Sequence, residues 1–416
     1  MPQSLQDSTP SLARRLQELV ALYTRLGTVG FGGPQAHIAM QNDEAVARRQ
    51  WMSQEQFVEG MAMCEMLPGP ASTQMGIYVG YVRAGQLGAL AAGLSFIAPA
   101  FVIVVVLSWA YFRFQQTPQL EGVFLGVAPV TIAIVLAFCW KLARKTLFLA
   151  ERSRHHNSIC VAIAVAVFAL TLGGYLPILP QLIAAGLVGM LLLGPNLPWP
   201  ARMSSWFVPF AISPVGMAAS AEVLTTSSLW GWERIGTYGW PLMAFFLKTG
   251  AAIFGGGLVI IPFIETEVVE QLGWLTPTEF LNGVAIGQLS PGPVVLTSAF
   301  IGYKVAGLVG ALSAAFAMFL PSFAFIMLAS PWLLKIRHHT RVKAFFQGVT
   351  PGVLGAISAA LVLLATRAIA PLSLQLAAGV TAIAVLALIA VLYFKMPTWL
   401  LIPGGAIAGL GLNVLT

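Results

Sequence analysis

Long apolar runs separated by short polar punctuation organise this chain, and the runs are apolar on every face. Residues 87–112, 122–140, 158–173 and 374–394 hold almost no ionisable group. At roughly 16 to 26 residues each, they have the length needed to cross a hydrocarbon core as helix. Strands of an outer-membrane barrel would give short segments of alternating polarity instead. The pattern predicts an all-α polytopic membrane protein. Composition points the same way: 9% of the 416 residues are charged and 58% hydrophobic, with a mean hydropathy of +0.83, whereas a soluble domain carries about 25% charged residues.

The chain also contains its own copy. Phe31-Gly32-Gly33 recurs as Phe254-Gly255-Gly256, and Pro68-Gly69-Pro70 as Pro291-Gly292-Pro293, each 223 positions on. One residue is then lost, and Gly85, Pro99 and Gly126 recur 222 positions on as Gly307, Pro321 and Gly348. This register divides the chain into a polar N-terminal segment (1–18), a first transporter repeat (19–194), a linker (195–236) and a second repeat (237–414). The N-terminal segment has no apolar run of the kind a cleavable signal peptide needs and is expected on the cytoplasmic side.

Basic residues in short loops mark the cytoplasmic face. In the first repeat they follow the 122–140 run (Lys141, Arg144, Lys145, Arg152, Arg154); in the second they precede the equivalent run (Lys335, Arg337, Arg341, Lys343). Homologous loops are therefore expected on opposite sides, the inverted-topology repeat of many secondary transporters. An odd crossing count between matched positions calls for an extra span, with residues 206–220 as the candidate, giving about 12 to 13 transmembrane segments. The formal charge of +7 follows from this sorting and does not call for nucleic acid. Cys64, Cys139 and Cys160 are widely spaced in apolar surroundings and are expected to be structural.

Glycine and proline punctuate two matched stretches, 24–74 and 247–297, so their helices are expected to be broken or re-entrant. Proline removes a backbone donor and disfavours helix before it. Freed amides in lipid are costly unless they line a cavity, and exposed helix N-termini attract anions. The glycine runs (Gly32, Gly33, Pro34; Gly255, Gly256, Gly257) permit close backbone approach, to a helix or to a ligand. Neither has the context of a nucleotide loop. Arg25 and Lys248, at matched positions in apolar sequence, are candidate partners of a dianion, with snorkelling to the interface as the alternative. Arg83 and Lys304 read as interfacial anchors. Glu65, whose repeat partner is the neutral Gln288, is a candidate proton carrier or a cap for freed backbone. His37 reads as a solvated loop histidine able to titrate. Glu44 and Glu267 are expected to pack the re-entrant loops or pair with Arg48 or Arg49. No metal site is expected at His155-His156 or His338-His339.

Phe-Gly-Gly-Pro-x-Ala-His at 31–37, Glu-Met-Leu-Pro-Gly-Pro-Ala-Ser-Thr-Gln at 65–74, Phe-Gly-Gly-Gly at 254–257 and Gly-Gln-Leu-Ser-Pro-Gly-Pro-Val at 287–294 together resemble the chromate ion transporter family in its long two-domain form. The resemblance covers both repeats. It implies gradient-driven efflux of chromate from a bacterial cytoplasm across the inner membrane, conferring chromate resistance, with antiparallel halves. It carries function to Gly32, Gly33, Pro34, His37, Glu65, Pro68, Gly69, Pro70, Gly255, Gly256, Pro291, Gly292 and Pro293. Gln288 and Ser290 lie in the same motif. Sulfate is a tetrahedral dianion of similar shape, so a sulfate or general oxyanion carrier is the alternative. No cofactor motif or paired thiol appears, so chromate is expected to cross without reduction. The bilayer is the one macroscopic partner expected, and a homodimer is left open. An intramembrane enzyme would need a nucleophile or metal constellation that the sequence does not contain.

Overall fold

A computed structural model describes residues 10–31, 33–115, 117–147, 154–194, 228–252, 260–329, 340–370 and 372–415, and all regular structure among them is helical. The first series is α1 (Leu12–Val29), α2 (Gly33–Asn42) continued by a π-helical turn (Asp43–Arg48), α3 (Gln54–Met66), α4 (Ala71–Phe114), α5 (Pro118–Leu147), α6 (Arg154–Leu172) and α7 (Ile178–Leu192). The second is α8 (Trp232–Ala252), α9 (Ile260–Glu265) with its π-helical turn (Thr266–Gln271), α10 (Pro277–Leu289), α11 (Thr297–Ala324), α12 (Thr340–Ile369), α13 (Leu374–Leu392) and α14 (Thr398–Leu415). Each element thus has its counterpart seven helices on. Among the described residues α4, α5, α6, α11, α12 and α13 are long and apolar enough to cross a membrane. The expected crossing at 206–220, most of the linker, Gly32, the run Gly255, Gly256 and Gly257, Arg152, Lys335, Arg337 and the His338-His339 pair lie outside the described residues.

The 44 residues of α4 do not form one rod. Ala84 and Gly85 leave helical geometry, Gly85 at φ +63°, and the chain doubles back so that Gly80 packs on the carbonyl of Gly88. The reversal recurs at Ala306 and Gly307 (φ +54°), with Gly302 on Gly310. Only glycine takes such a conformation without a steric cost. A second reversal lies upstream: α3 and the start of α4 are joined by Pro68-Gly69-Pro70, and Gly60 rests on the ring of Tyr78. The two pieces therefore run antiparallel, as a helical hairpin with Pro-Gly-Pro at its tip. α10 and the start of α11 repeat it, with Gly283 on the ring of Phe300. Both hairpins begin at a capping box, Ser53 with Gln56 and Thr276 with Glu279, which satisfies the first amides of each.

The two series interlock. α5 packs on α13 and α14, and α12 packs on α6 and α7. These crossings are backbone on backbone: a Cβ on Gly126 would run into the carbonyl of Gly405, and one on Gly348 into that of Ala185. Small residues at helix crossings permit this approach in a membrane, where packing replaces the hydrophobic drive between helices. Lys304 departs from the interfacial anchor expected of it. It is 3% exposed and donates to Glu279 Oε1 at 2.8 Å, because the Pro-Gly-Pro tip folds the start of α11 antiparallel against α10.

Candidate functional site

Each hairpin tip leans on the other series. A Cβ on Gly69 would run into the Ser322 hydroxyl of α11, and one on Gly292 into the side chain of Ala100 in α4; Ala100 and Ser322 each follow a matched intrahelical proline, Pro99 and Pro321. The tips consequently open on one cavity of about 1190 Å³. Glu65, Gly69 and Ala71 line it from the first hairpin, and Gln288, Ser290, Gly292 and Val294 from the second. Gly33 and Pro34 line it at the start of α2, where Gly33 needs φ +77°. Both repeats thus contribute to a single space.

Both tips present donors. The carbonyls released by the breaks are taken up locally: Gln74 Nε2 donates to Pro68 O at 2.6 Å, Ser290 Oγ to Gly287 O at 2.8 Å and Thr297 Oγ1 to Val294 O at 2.9 Å. The first amides of the following helices have no intrahelical acceptor, since bonding resumes only at Thr73 N to Pro70 O and at Leu296 N to Pro293 O. Ala71 and Val294 line the cavity, and among the described residues their N–H groups meet no acceptor. Pro70 and Pro293 serve as N-caps that enforce this, while Pro68 and Pro291 shape the turns. Gln288 adds a further donor: it is 7% exposed, lines the cavity and has no partner for Nε2 among the described residues. Its repeat partner Glu65 is exposed to the same space.

The other candidates fall elsewhere. His37 is not a solvated loop residue; it sits in α2 at 2% exposure, where its Nε2–H donates to the Gly30 carbonyl and Nδ1 faces Ser72 Oγ at 3.5 Å. A carbonyl can only accept, so this contact fixes the ring and ties α1 and α2 to the start of α4. Arg25 and Lys248 stand outside the cavity lining. Lys248 meets Glu267 at 2.6 Å, and Arg25 approaches Glu44 at 3.8 Å. Glu44 also takes Arg48 and Arg49, at 3.2 and 3.1 Å. The matched cations thus face matched carboxylates.

Four lysines line the cavity that the sequence pattern did not place there: Lys141 and Lys145 on the last turns of α5, Lys343 on the first turn of α12, and Lys395 just past α13. The first three served only as topology markers. Their repeat counterparts, Leu363, Arg367 and Glu121, differ in charge or pairing, and that asymmetry is the signal that would have found them. The C-terminal end of α5 and the N-terminal end of its counterpart α12 meet at this one mouth.

A family model described as "Chromate transporter" matches residues 17–190 and 240–410. The chain is 34% identical over 400 residues to a chromate transport protein of Cupriavidus metallidurans, covering 95% of this chain and 92% of the relative. It is 30% identical over 346 residues to a chromate transport protein of Pseudomonas aeruginosa, covering 82% and 79%. No solved structure matches.

Proposed function

The chain belongs to the chromate transporter family, and from that premise we propose that it is a secondary transporter exporting chromate from a bacterial cytoplasm, coupled to the proton motive force and conferring chromate resistance. The observation that carries this reading is the one cavity into which both Pro-Gly-Pro tips open, one from each repeat. Two sets of unpaired amides with Gln288 and Ser290 suit an oxyanion, which accepts on every oxygen and is drawn to helix N-termini. The tips of both repeats are where the substrate binds, with Gly33 and Pro34 closing the wall. Glu65 is the proton carrier of that coupling: it takes a proton inward on the return step, after the anion has left on the outer side.

The shared mouth of α5 and α12 supports an inverted repeat, because matched helices reach it by opposite ends. The described chain leaves at Gly194, beside Ala344 near that mouth, and returns where Leu229 O accepts from Leu308 N at the reversal within α11; an odd crossing between the repeats requires endpoints on opposite sides. Positive-inside sorting puts the lysine mouth and the N-terminus in the cytoplasm of an inner membrane. Arg25 with Glu44, and Lys248 with Glu267, act as the charged hinges of the segments that follow α1 and α8.

Inverted vesicles from cells producing the protein test this. Uptake of radiolabelled chromate that collapses with an uncoupler and persists in excess sulfate is expected. Uptake abolished by sulfate moves the function to a general oxyanion carrier, and an absence of chromate uptake overturns the reading.

A further inference from the structure

We propose that Lys141, Lys145, Lys343 and Lys395 form a second anion site, a capture vestibule that concentrates a tetrahedral dianion at one mouth before it reaches the hairpin tips. The inference deepens the transporter reading and rests on it for direction, but its binding chemistry stands on separate observations.

All four side chains are exposed to the cavity, and none makes an ion pair or hydrogen bond among the described residues. That sets them apart from Arg25, Arg48, Arg49, Arg83, Lys248, Lys304 and Arg367, each of which meets a carboxylate. Among the described residues Glu65 is the single acid lining the same space. The lining runs along α5 from Thr146 back to Ile134, about 18 Å of helix, so the lysines at the helix ends stand apart from the amides at the tips. At the far end of that path the unpartnered, buried Gln288 Nε2 waits for an acceptor.

The repeat supplies an internal control. At the positions equivalent to Lys141 and Lys343 stand Leu363 and Glu121, and at that of Lys145 stands Arg367, held by Glu265 at 2.7 Å and Glu270 at 2.6 Å; Lys395 falls opposite Tyr175 when α6 and α13 are aligned. Among the described residues no free cation stands at the positions equivalent to Lys141, Lys145 and Lys343. Lys395 occupies a left-handed turn (φ +52°), a conformation in which a Cβ is a steric cost. Turn geometry alone would select glycine there. Flexible ammonium groups act as point charges without a fixed fork, and cations in a low-dielectric cleft focus the field and raise the local concentration of an anion. The vestibule therefore acts on capture, and its effect is screened by salt.

Equilibrium dialysis of radiolabelled chromate against the purified full chain in detergent, at about 0.01 M and about 0.15 M potassium gluconate, reads the vestibule directly. The fourfold variant Lys141→Gln, Lys145→Gln, Lys343→Gln, Lys395→Gln is expected to bind roughly tenfold more weakly than the parent at low salt and to converge with it at high salt. The corresponding Lys→Arg set restores both affinity and salt dependence. In vesicles the Gln set shows a raised KM with kcat retained. Equal affinity and equal salt dependence in parent and Gln set would overturn the vestibule while leaving the exporter intact. Salt-dependent binding lost in the Gln set, together with a parent that moves no chromate, supports the vestibule and overturns the exporter.

Discussion

The hairpin of α3 and α4 and the hairpin of α10 and α11 share caps, tips, reversals and crossing partners, and differ in charge. Gln56 closes the first capping box, whereas Glu279 closes the second and also binds Lys304. Glu65 stands at one tip and Gln288 at the other. On α12, Arg367 meets the buried Glu265 and also Glu270, but the positions equivalent to these acids are Asn42 and Ala47, so Lys145 on α5 has no carboxylate to meet. The backbone is duplicated because both tips must build the same donor-rich surface. The charges are not duplicated because the two ends of the path do different things. Arg367 ties α12 to α9 at one end, and free lysines receive an anion at the other.

The strongest way to break the comparison is to fill its shared crossings. Gly126→Leu and Gly348→Leu each drive a side chain into a backbone carbonyl of the opposite series, at or above about 3 kcal/mol. Neither variant is expected to accumulate as a monodisperse membrane protein on size-exclusion chromatography. A normal yield from one of the two would show that the crossings are not equivalent.

Lys304→Met probes the largest charge difference. It leaves Glu279 buried and unpaired at a cost of roughly 3–5 kcal/mol. Arg83→Met removes one of two partners of Glu18, which also meets Arg14 at 3.4 Å, at a cost within about 1 kcal/mol. Thermal unfolding in detergent should separate the two variants clearly, and equal losses would refute the assignment of Lys304 to a buried pair.

Glu65→Gln makes the two tips alike. Uptake in inverted vesicles is expected to fall at least about tenfold and to lose its response to an uncoupler, as an intramembrane carboxyl with a transport role requires. Adding Gln288→Glu moves the carboxyl to the other tip and should return part of the uncoupler response. Undiminished, uncoupler-sensitive uptake in Glu65→Gln alone would remove Glu65 from the coupling path.

Much of this architecture is legible from spacing. The displacement by 223 and then 222 positions locates both tips, both reversals and the glycine crossings in the sequence itself. What spacing misses has physical causes. Hydropathy starts its apolar run at Leu87, just past Arg83 and Gln86, and marks an end there without showing that the chain doubles back, because positive φ leaves no mark except a glycine. Arg25 and Lys248 look like free cations since their carboxylates lie 19 positions on, across a chain reversal, although Glu44 and Glu267 carry the same displacement. His37 looks solvated because the burial of α2 depends on α1 and α4 closing over it.

Lys395 escapes notice for another reason: one cation after a 21-residue apolar run, 374–394, reads as an interfacial end. Its turn sharpens the comparison at the smallest scale. Met396 N bonds to Ala390 O at 3.1 Å around Lys395, a helix C-terminus that favours glycine at the left-handed position. Lys395→Gly should therefore stabilise the protein by about 1 kcal/mol, the scale of a left-handed residue's strain, while raising the KM for chromate. Opposite signs in thermal unfolding and in KM would mean that this lysine is kept for the anion at the expense of the turn. A loss of stability with KM unchanged would assign it to the fold instead.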